Sequence, residues 1–278
     1  MAVKIVTDSS ADLSAQLAQE LGITVVPLYV RFGEEVYRER MDISEEEFYQ
    51  RLLHGPIHPV TIQPNPQDFA NVYQELSPAA DGIVSIHISS KLSGTCNSAL
   101  QAKEMIEKGC PIEVVDSQII TVGLGLICIA AAAVAKTGAD LQQVVKEVKQ
   151  TLPNVHLLAL VDTLKYLLLG GRIGKAKALV GSLLNVKPLL TLEEGEVVPR
   201  GQARTRSKGI ERLFDFVAKA TNIQDLAVAY STTPDEAQAL AERIGSIFTK
   251  QPVKIARLGT TLGVHMGPGA LAVAFREK

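Results

Sequence analysis

The sequence has no tryptophan and only 5% aromatic residues. It therefore lacks the stacking platform on which single-stranded nucleic acids are held. It has no excess of positive charge either: 28 Lys and Arg stand against 30 Asp and Glu. That balance leaves no global field to draw nucleic acid or an anionic membrane. Cysteine is scarce, and Cys96, Cys110 and Cys128 are an odd, scattered set. This excludes a disulfide framework and a clustered zinc site, and it fits a reducing compartment. No histidines pair at metal-ligand spacing. His54 and His58 are four apart, but Pro56 prevents a shared helical face. No Walker A loop is present, and no Gly-x-Gly-x-x-Gly follows a first strand, so nucleotide binding has little support. The opening MAVKIVTDSSAD starts on a strand pattern without a charged and apolar leader, which predicts a cytoplasmic protein.

One long apolar run is present. Residues 119–135 are uncharged over 17 positions, at the lower edge of a membrane-spanning length. The run is mostly Ala and Gly and sits inside a strand–helix alternation, so a buried core helix is the reading. The 278 residues suggest about two domains, and 46% hydrophobic content is enough for a sizeable core.

In the first half, apolar strands at 3–6, 23–30, 82–88 and 112–115 alternate with helices at 12–21, 44–53, 66–76, 92–108, 119–135 and 139–151. Residues 54–66, with four prolines, read as an extended loop. This is the pattern of a parallel sheet covered on both faces. The second half reads as a strand at 155–161, a short helix to 169, a break at 170–172 and a further helix to about 183. A hairpin turning at Glu194-Gly195 follows, then helix 207–220, strand 226–230, helix 234–248 and strands at 253–258 and 271–275. The fold class is thus α/β: a three-layer αβα domain over 1–150 with a parallel sheet, and an α+β domain over 151–278 with a mixed or antiparallel sheet.

The strands of the first half end in small hydroxyl and acidic residues: Thr7-Asp8-Ser9-Ser10, Ser89-Ser90 and Asp116-Ser117. Such residues are good helix caps, and in a parallel sheet they converge on the edge where ligands bind. The run Ser89-Ser90-Lys91-Leu92-Ser93-Gly94-Thr95 follows a strand and opens a helix. Free N–H groups, with the Ser93 and Thr95 hydroxyls, suit a single anion such as a carboxylate. His87 and His156 fall in strand patterns and read as core. His265 falls in Gly263-Val264-His265-Met266-Gly267-Pro268-Gly269, read as a glycine-rich loop open to a ligand.

Seven segments in order over essentially the whole chain carry a family resemblance. They are Ile5–Asp12, Thr61-Ile62-Gln63-Pro64, Ile88–Thr95, Val115-Asp116-Ser117, Leu168–Ile173, Leu184-Asn185-Val186-Lys187-Pro188-Leu189-Leu190 and His265–Gly269. The chain resembles the DegV family of fatty-acid-binding proteins, which includes the B subunits of bacterial fatty acid kinase. The resemblance implies two α/β domains and a long-chain fatty acid in an internal apolar tunnel. It implies a carboxylate held by Thr61 and Ser93, with Gly94, Thr95, Arg172 and His265 beside them. No cofactor and no metal is implied; the partners are the fatty acid, a separate kinase subunit that makes the acyl phosphate, and a transient membrane contact for lipid exchange. Ile62 stands where the family often has serine, which removes one hydroxyl from the head-group region.

The energetics agree. About 14 methylenes of a 16-carbon chain are worth roughly 11 kcal/mol on burial, less the cost of association. A buried carboxylate needs donors. Arg204 and Arg206, with Lys208, form a basic group after the hairpin and are a candidate docking surface for the kinase. Two other functions compete: a hydrolase using Ser93, His265 and Asp8 or Asp116, without a Gly-x-Ser-x-Gly elbow, and a lipid-sensing regulator with no kinase partner.

Overall fold

The computed structural model describes residues 2–180 and 186–278. The chain opens with β1 (Ala2–Asp8), α1 (Ala15–Leu21), β2 (Ile23–Val26), β3 (Tyr29–Phe32), β4 (Glu35–Arg38), α2 (Glu45–His54) and β5 (Val60–Ile62). It continues through α3 (Pro66–Leu76), β6 (Ala80–His87), α4 (Thr95–Glu104), β7 (Ile112–Asp116), α5 (Thr121–Ala135) and α6 (Leu141–Thr151). The remainder is β8 (Val155–Leu160), α7 (Lys165–Leu169), β9 (Lys187–Glu193), β10 (Glu196–Ala203), α8 (Arg206–Ala218), β11 (Ile223–Tyr230), α9 (Pro234–Gly245), β12 (Lys254–Arg257), α10 (Thr260–Met266) and β13 (Leu271–Glu277).

The class is α/β as the alternation implies. A parallel sheet runs β2-β1-β6-β7, and a mixed sheet runs β10-β9-β8-β13-β11-β12 with only β11–β12 parallel. The proposed division into 1–150 and 151–278 rests on this segregation of strands. The apolar helix α5 lies between the sheets, touching β1 and β6 on one side and β8, β11 and β13 on the other. Its small residues let both layers close in: a side chain at Gly125 would strike the Ala11 carbonyl. One hydrophobic core therefore spans both sheets. No helix among the described residues is long and apolar enough to cross a membrane.

Several boundaries differ from the pattern. The expected strand at 23–30 is two strands, because Pro27 cannot donate to a ladder. β2 stays in the parallel sheet, while β3 leaves to form a third, antiparallel sheet, β4-β3-β5. The prolines of 54–66 hid β5, whose three residues are too few for a period to register. Thr7–Ser10 do not cap α1. That helix starts at Ala15, where the Ser14 hydroxyl accepts the Leu17 N–H at 3.1 Å. α4 starts at Thr95, not Leu92, so Ser93 sits in the turn before it. The hairpin turns at Glu194-Gly195, both at positive φ (51° and 81°), the geometry of a type I′ turn. After the short helix, residues 174–179 form a 3-10 turn. The expected helix to 183 and the Leu184-Asn185 segment run into 181–185, outside the described residues.

A buried polar knot joins the halves. Asp12 accepts Thr121 Oγ1 at 2.7 Å, Gly259 N–H at 2.9 Å and Arg40 Nη2 at 3.0 Å. Arg40 also donates to the carbonyls of Leu13 and Arg257. Glu39 takes the Ser9 hydroxyl, the Thr260 hydroxyl and the Thr261 N–H. Burial pushes the Asp12 carboxyl up to about 7, even with Arg40 beside it. In the unfolded chain it ionises near its ordinary value of 3.8. The folded state thus binds an extra proton between the two values, and Asp12 costs stability as pH rises from about 4 to about 7. Urea midpoints across that window should fall more steeply for the parent protein than for Asp12→Asn; parallel curves would contradict the assignment.

Candidate functional site

Strand alternation in the small sheet aims the first residue of the site. On β5, Val60 faces outward and Thr61 faces inward, while Ile62 is exposed at the rim of the cavity. Thr61 Oγ1 lies 3.1 Å from His265 Nε2, 204 residues away in the chain. His265 does not stand in a loop. Gly263–Met266 close the short helix α10, and only Gly267 and Gly269 take positive φ. The helix places Thr261 one turn before His265, on the same face. Its start is held by Glu39, whose Oε1 accepts the Thr261 N–H at 2.8 Å.

The His265 ring is sealed on its far side. Nδ1 is buried without a partner and rests against Gly170, where a methyl group would overlap the ring. Burial first, then the charges of Arg172 and His58, hold its pKa down to about 4. The imidazole is neutral at pH 7.

The second side of the site is the turn from β6 into α4. The Ser89 carbonyl accepts the N–H groups of Leu92 and Ser93 at 3.0 and 3.1 Å. Ser93 Oγ lies 2.8 Å from Thr95 Oγ1 and accepts the Thr95 N–H at 3.3 Å. Arg172 spans from the other half, donating through Nε to the Leu92 carbonyl at 3.1 Å and through Nη1 to the Gly170 carbonyl at 2.7 Å.

These side chains surround a cavity of about 260 Å³. Thr61, Ser93, Arg172, Thr261 and His265 supply its polar lining, and Leu28, Ile88, Ile120, Leu167 and Met266 are among its apolar walls. It meets the surface where exposed Gln63 and Arg172 line it. A smaller apolar cavity of about 30 Å³ lies beyond it under β8 and β9. Ile120, Leu167, Val197 and Met266 line both and form the partition between them. Gly94 and Thr95 are not in the lining. Thr95 is fully buried and supports Ser93, while Gly94 leaves room for the Gln63 amide lying across it.

Residues 2–278 match the family model described as "Uncharacterised protein, DegV family". The chain belongs to the DegV family. It is 40% identical to a DegV domain-containing protein of Streptomyces coelicolor over 99% of both chains. Its fold is similar to that of a DegV family protein from Thermus thermophilus whose structure is described by its fatty acid binding, with a TM-score of 0.91, 35% identity and full coverage of both chains. It is also similar to DegV of Bacillus subtilis, described as a fatty acid binding protein, with a TM-score of 0.90, 31% identity and full coverage of both.

Among the other residues singled out from the sequence, two groups fall elsewhere in this DegV protein. The Ser93–His265–aspartate arrangement is not assembled. Ser93 faces Thr95 and His265 faces Thr61. Asp8 holds Ser10, His87 and the Ile88 N–H, and Asp116 holds Ser90 and the Gln118 N–H. Neither carboxylate orients His265. Arg206 is no free docking cation. It pairs with Glu236 at 2.6 Å and Asp162 at 3.1 Å and donates to the Gly269 carbonyl. Arg204 and Lys208 stand exposed.

Two features escaped sequence reasoning. Thr261 presents a buried hydroxyl without a partner. Its i, i+4 spacing to His265 was the available signal, concealed by reading 263–269 as a loop. His87 is the core residue its strand pattern suggested, but it belongs to a fully buried chain from Tyr73 through Ser85 and His87 to Asp8. That chain fixes the strand end from which the Ser93 turn departs. Gly170→Ala should displace the His265 ring and break the contact with Thr61. The His265 imidazole resonances in the nuclear magnetic resonance spectrum should shift, with an unchanged circular dichroism spectrum. Unshifted resonances would contradict the sealed-ring geometry.

Proposed function

We propose that this DegV protein binds one long-chain fatty acid, holds its carboxylate with Thr61 and Ser93, and presents it to a separate kinase for acyl phosphate formation. The observation that carries the reading is the convergence of Thr61, Ser93, Thr261, His265 and Arg172 on one end of an otherwise apolar cavity. An ionised carboxylate entering such a cavity needs hydrogen-bond donors. Hydroxyls, a neutral imidazole and one guanidinium meet that need, with the guanidinium of Arg172 as the compensating charge at the exposed opening.

The tail would lie along Ile120, Leu167, Val197 and Met266 and, once these rotate, enter the space under β8 and β9. The carboxylate end is then nearest the opening at Gln63 and Arg172, where a phosphoryl donor can reach it. The chemistry of the transfer belongs to the partner in this reading. A membrane contact for lipid exchange fits a ligand of this solubility.

Calorimetric titration with palmitate tests the head-group assignment. Thr61→Val and Ser93→Ala should each weaken palmitate about ten- to a hundredfold, as expected for bonds to a charged group, and leave methyl palmitate little changed. Equal losses for acid and ester would contradict it. Leu190→Phe, which fills only the inner cavity, should reject 16- and 18-carbon acids while an eight-carbon acid still binds; undiminished binding of the long acids would remove the tail path. Incubation of the loaded protein with a fatty acid kinase catalytic subunit and ATP should yield acyl phosphate. Binding without any phosphorylation would favour the lipid-sensing reading instead.

A further inference from the structure

A second cavity lies on the other flank of the buried knot. It measures about 380 Å³ and sits between the start of α1, one face of α5 and the edge strand β12. It shares no lining residue with the acyl cavity or with the space behind that cavity. Cavities that hold small ligands usually fall between about 300 and 1,000 Å³.

The floor is apolar. Val122, Gly125, Leu126 and Ile129 line it at the spacing of one helical face. α5 is buried through most of its length, yet Ile129 on this face is only half-buried. Leu13, Leu17 and the exposed Ile255 complete the floor. Small side chains keep the space open, since Ala227 and Ala256 line it beside Gly125.

The rim is cationic. Arg40, Lys254 and Arg257 line it, and each side chain is partly exposed. Two carboxylates share the lining. Asp12 is wholly buried and is spent on Thr121, Gly259 and Arg40. Glu45 lies 3.1 Å from Arg40 Nε, but that buried nitrogen makes no hydrogen bond. Lys254 stands 3.7 Å from Asp225, a carboxylate already held by Arg276 and Gln251. Arg257 pairs with Glu46, an exposed partner whose attraction water screens. The rim therefore has cationic capacity to spare.

An apolar floor under a cationic rim selects one class of ligand. A bare anion would leave the floor wet, and an amphipathic cation would meet like charge. We propose that this cavity is a second ligand site for an amphipathic anion, with a carboxylate or phosphate monoester head on Arg40, Lys254 and Arg257 and an apolar body along the α5 face. The site does not depend on the kinase step.

The test uses the full chain saturated with oleate. It is titrated with dodecanoate or dodecyl phosphate below their micelle concentrations, and native mass spectrometry counts each ligand by its mass. The parent should add one equivalent of anion while keeping its oleate; dodecyltrimethylammonium and dodecanol should not add. Uptake of either anion supports the site, and the tighter one names its head group. Lys254→Glu reverses a rim charge outside the knot, and Ala256→Leu fills the space above the floor. Each should keep oleate and weaken the added anion about tenfold or more, as expected for loss of a charged contact or of the space itself. No added anion on the parent, exchange for oleate without a ternary complex, equal uptake of the cation, or parent-like binding by both variants overturns the site. A parent that takes no oleate but still binds one dodecyl phosphate, lost in Lys254→Glu, supports this site and overturns the carrier reading instead.

Discussion

The site depends on the buried charge knot of Asp12, Glu39 and Arg40. Thr61 and His265 are 204 residues apart, and neither the parallel sheet nor the mixed sheet alone would bring them together. Glu39, at the end of the small sheet's hairpin, takes the N-terminal groups of α10. Arg40 and Asp12 tie the loop after β1 to the segment 257–259 just before it. Each charge is expensive to bury and is tolerated because nearly every lone pair and proton is used. Removing one partner would leave the others unpaired in the interior, a larger penalty than the knot's net worth.

The same knot reaches the inner end of the cavity. Thr121 adopts a φ of 51°, in the left-handed region that a β-branched residue rarely occupies. Strain of this kind costs on the order of 1–3 kcal/mol and persists where the surroundings over-determine it. Here the Thr121 hydroxyl donates to Asp12 at 2.7 Å. The turn it makes starts α5 and sets Ile120 in the wall of the polar cavity and in the partition behind it. The polar cavity and the partition behind it are thereby linked through one carboxylate.

Much of this was legible in the sequence because the large elements obey strong periods. The continuous apolar strands, the Ala- and Gly-rich helix and the Glu194-Gly195 turn each follow from local rules. Thr61, Ser93, Arg172 and His265 were marked by the family resemblance. Without it, the residue pattern pointed to a single-anion site near Ser93 and to His265 in a glycine-rich segment. What stayed hidden is short or non-local. β5 has three residues between prolines, and α10 has seven with glycine inside it, so neither displays a period. The inward turn of Arg206 depends on Glu236 and Asp162, which no local pattern connects to it. Thr261 and Glu39 matter only because tertiary contacts place one in the cavity and the other at the helix start.

The central claim is that the cavity takes one fatty acid with its carboxylate at Thr61 and Ser93. The most direct measurement is native against denatured mass of the protein purified from its expression host, with extraction of any ligand, for the parent chain and for Thr61→Val combined with Ser93→Ala. The account predicts one equivalent of a long-chain fatty acid on the parent and little or none on the folded double variant. A parent protein that is empty and takes up no added fatty acid, or a double variant that retains the ligand in full, would contradict it.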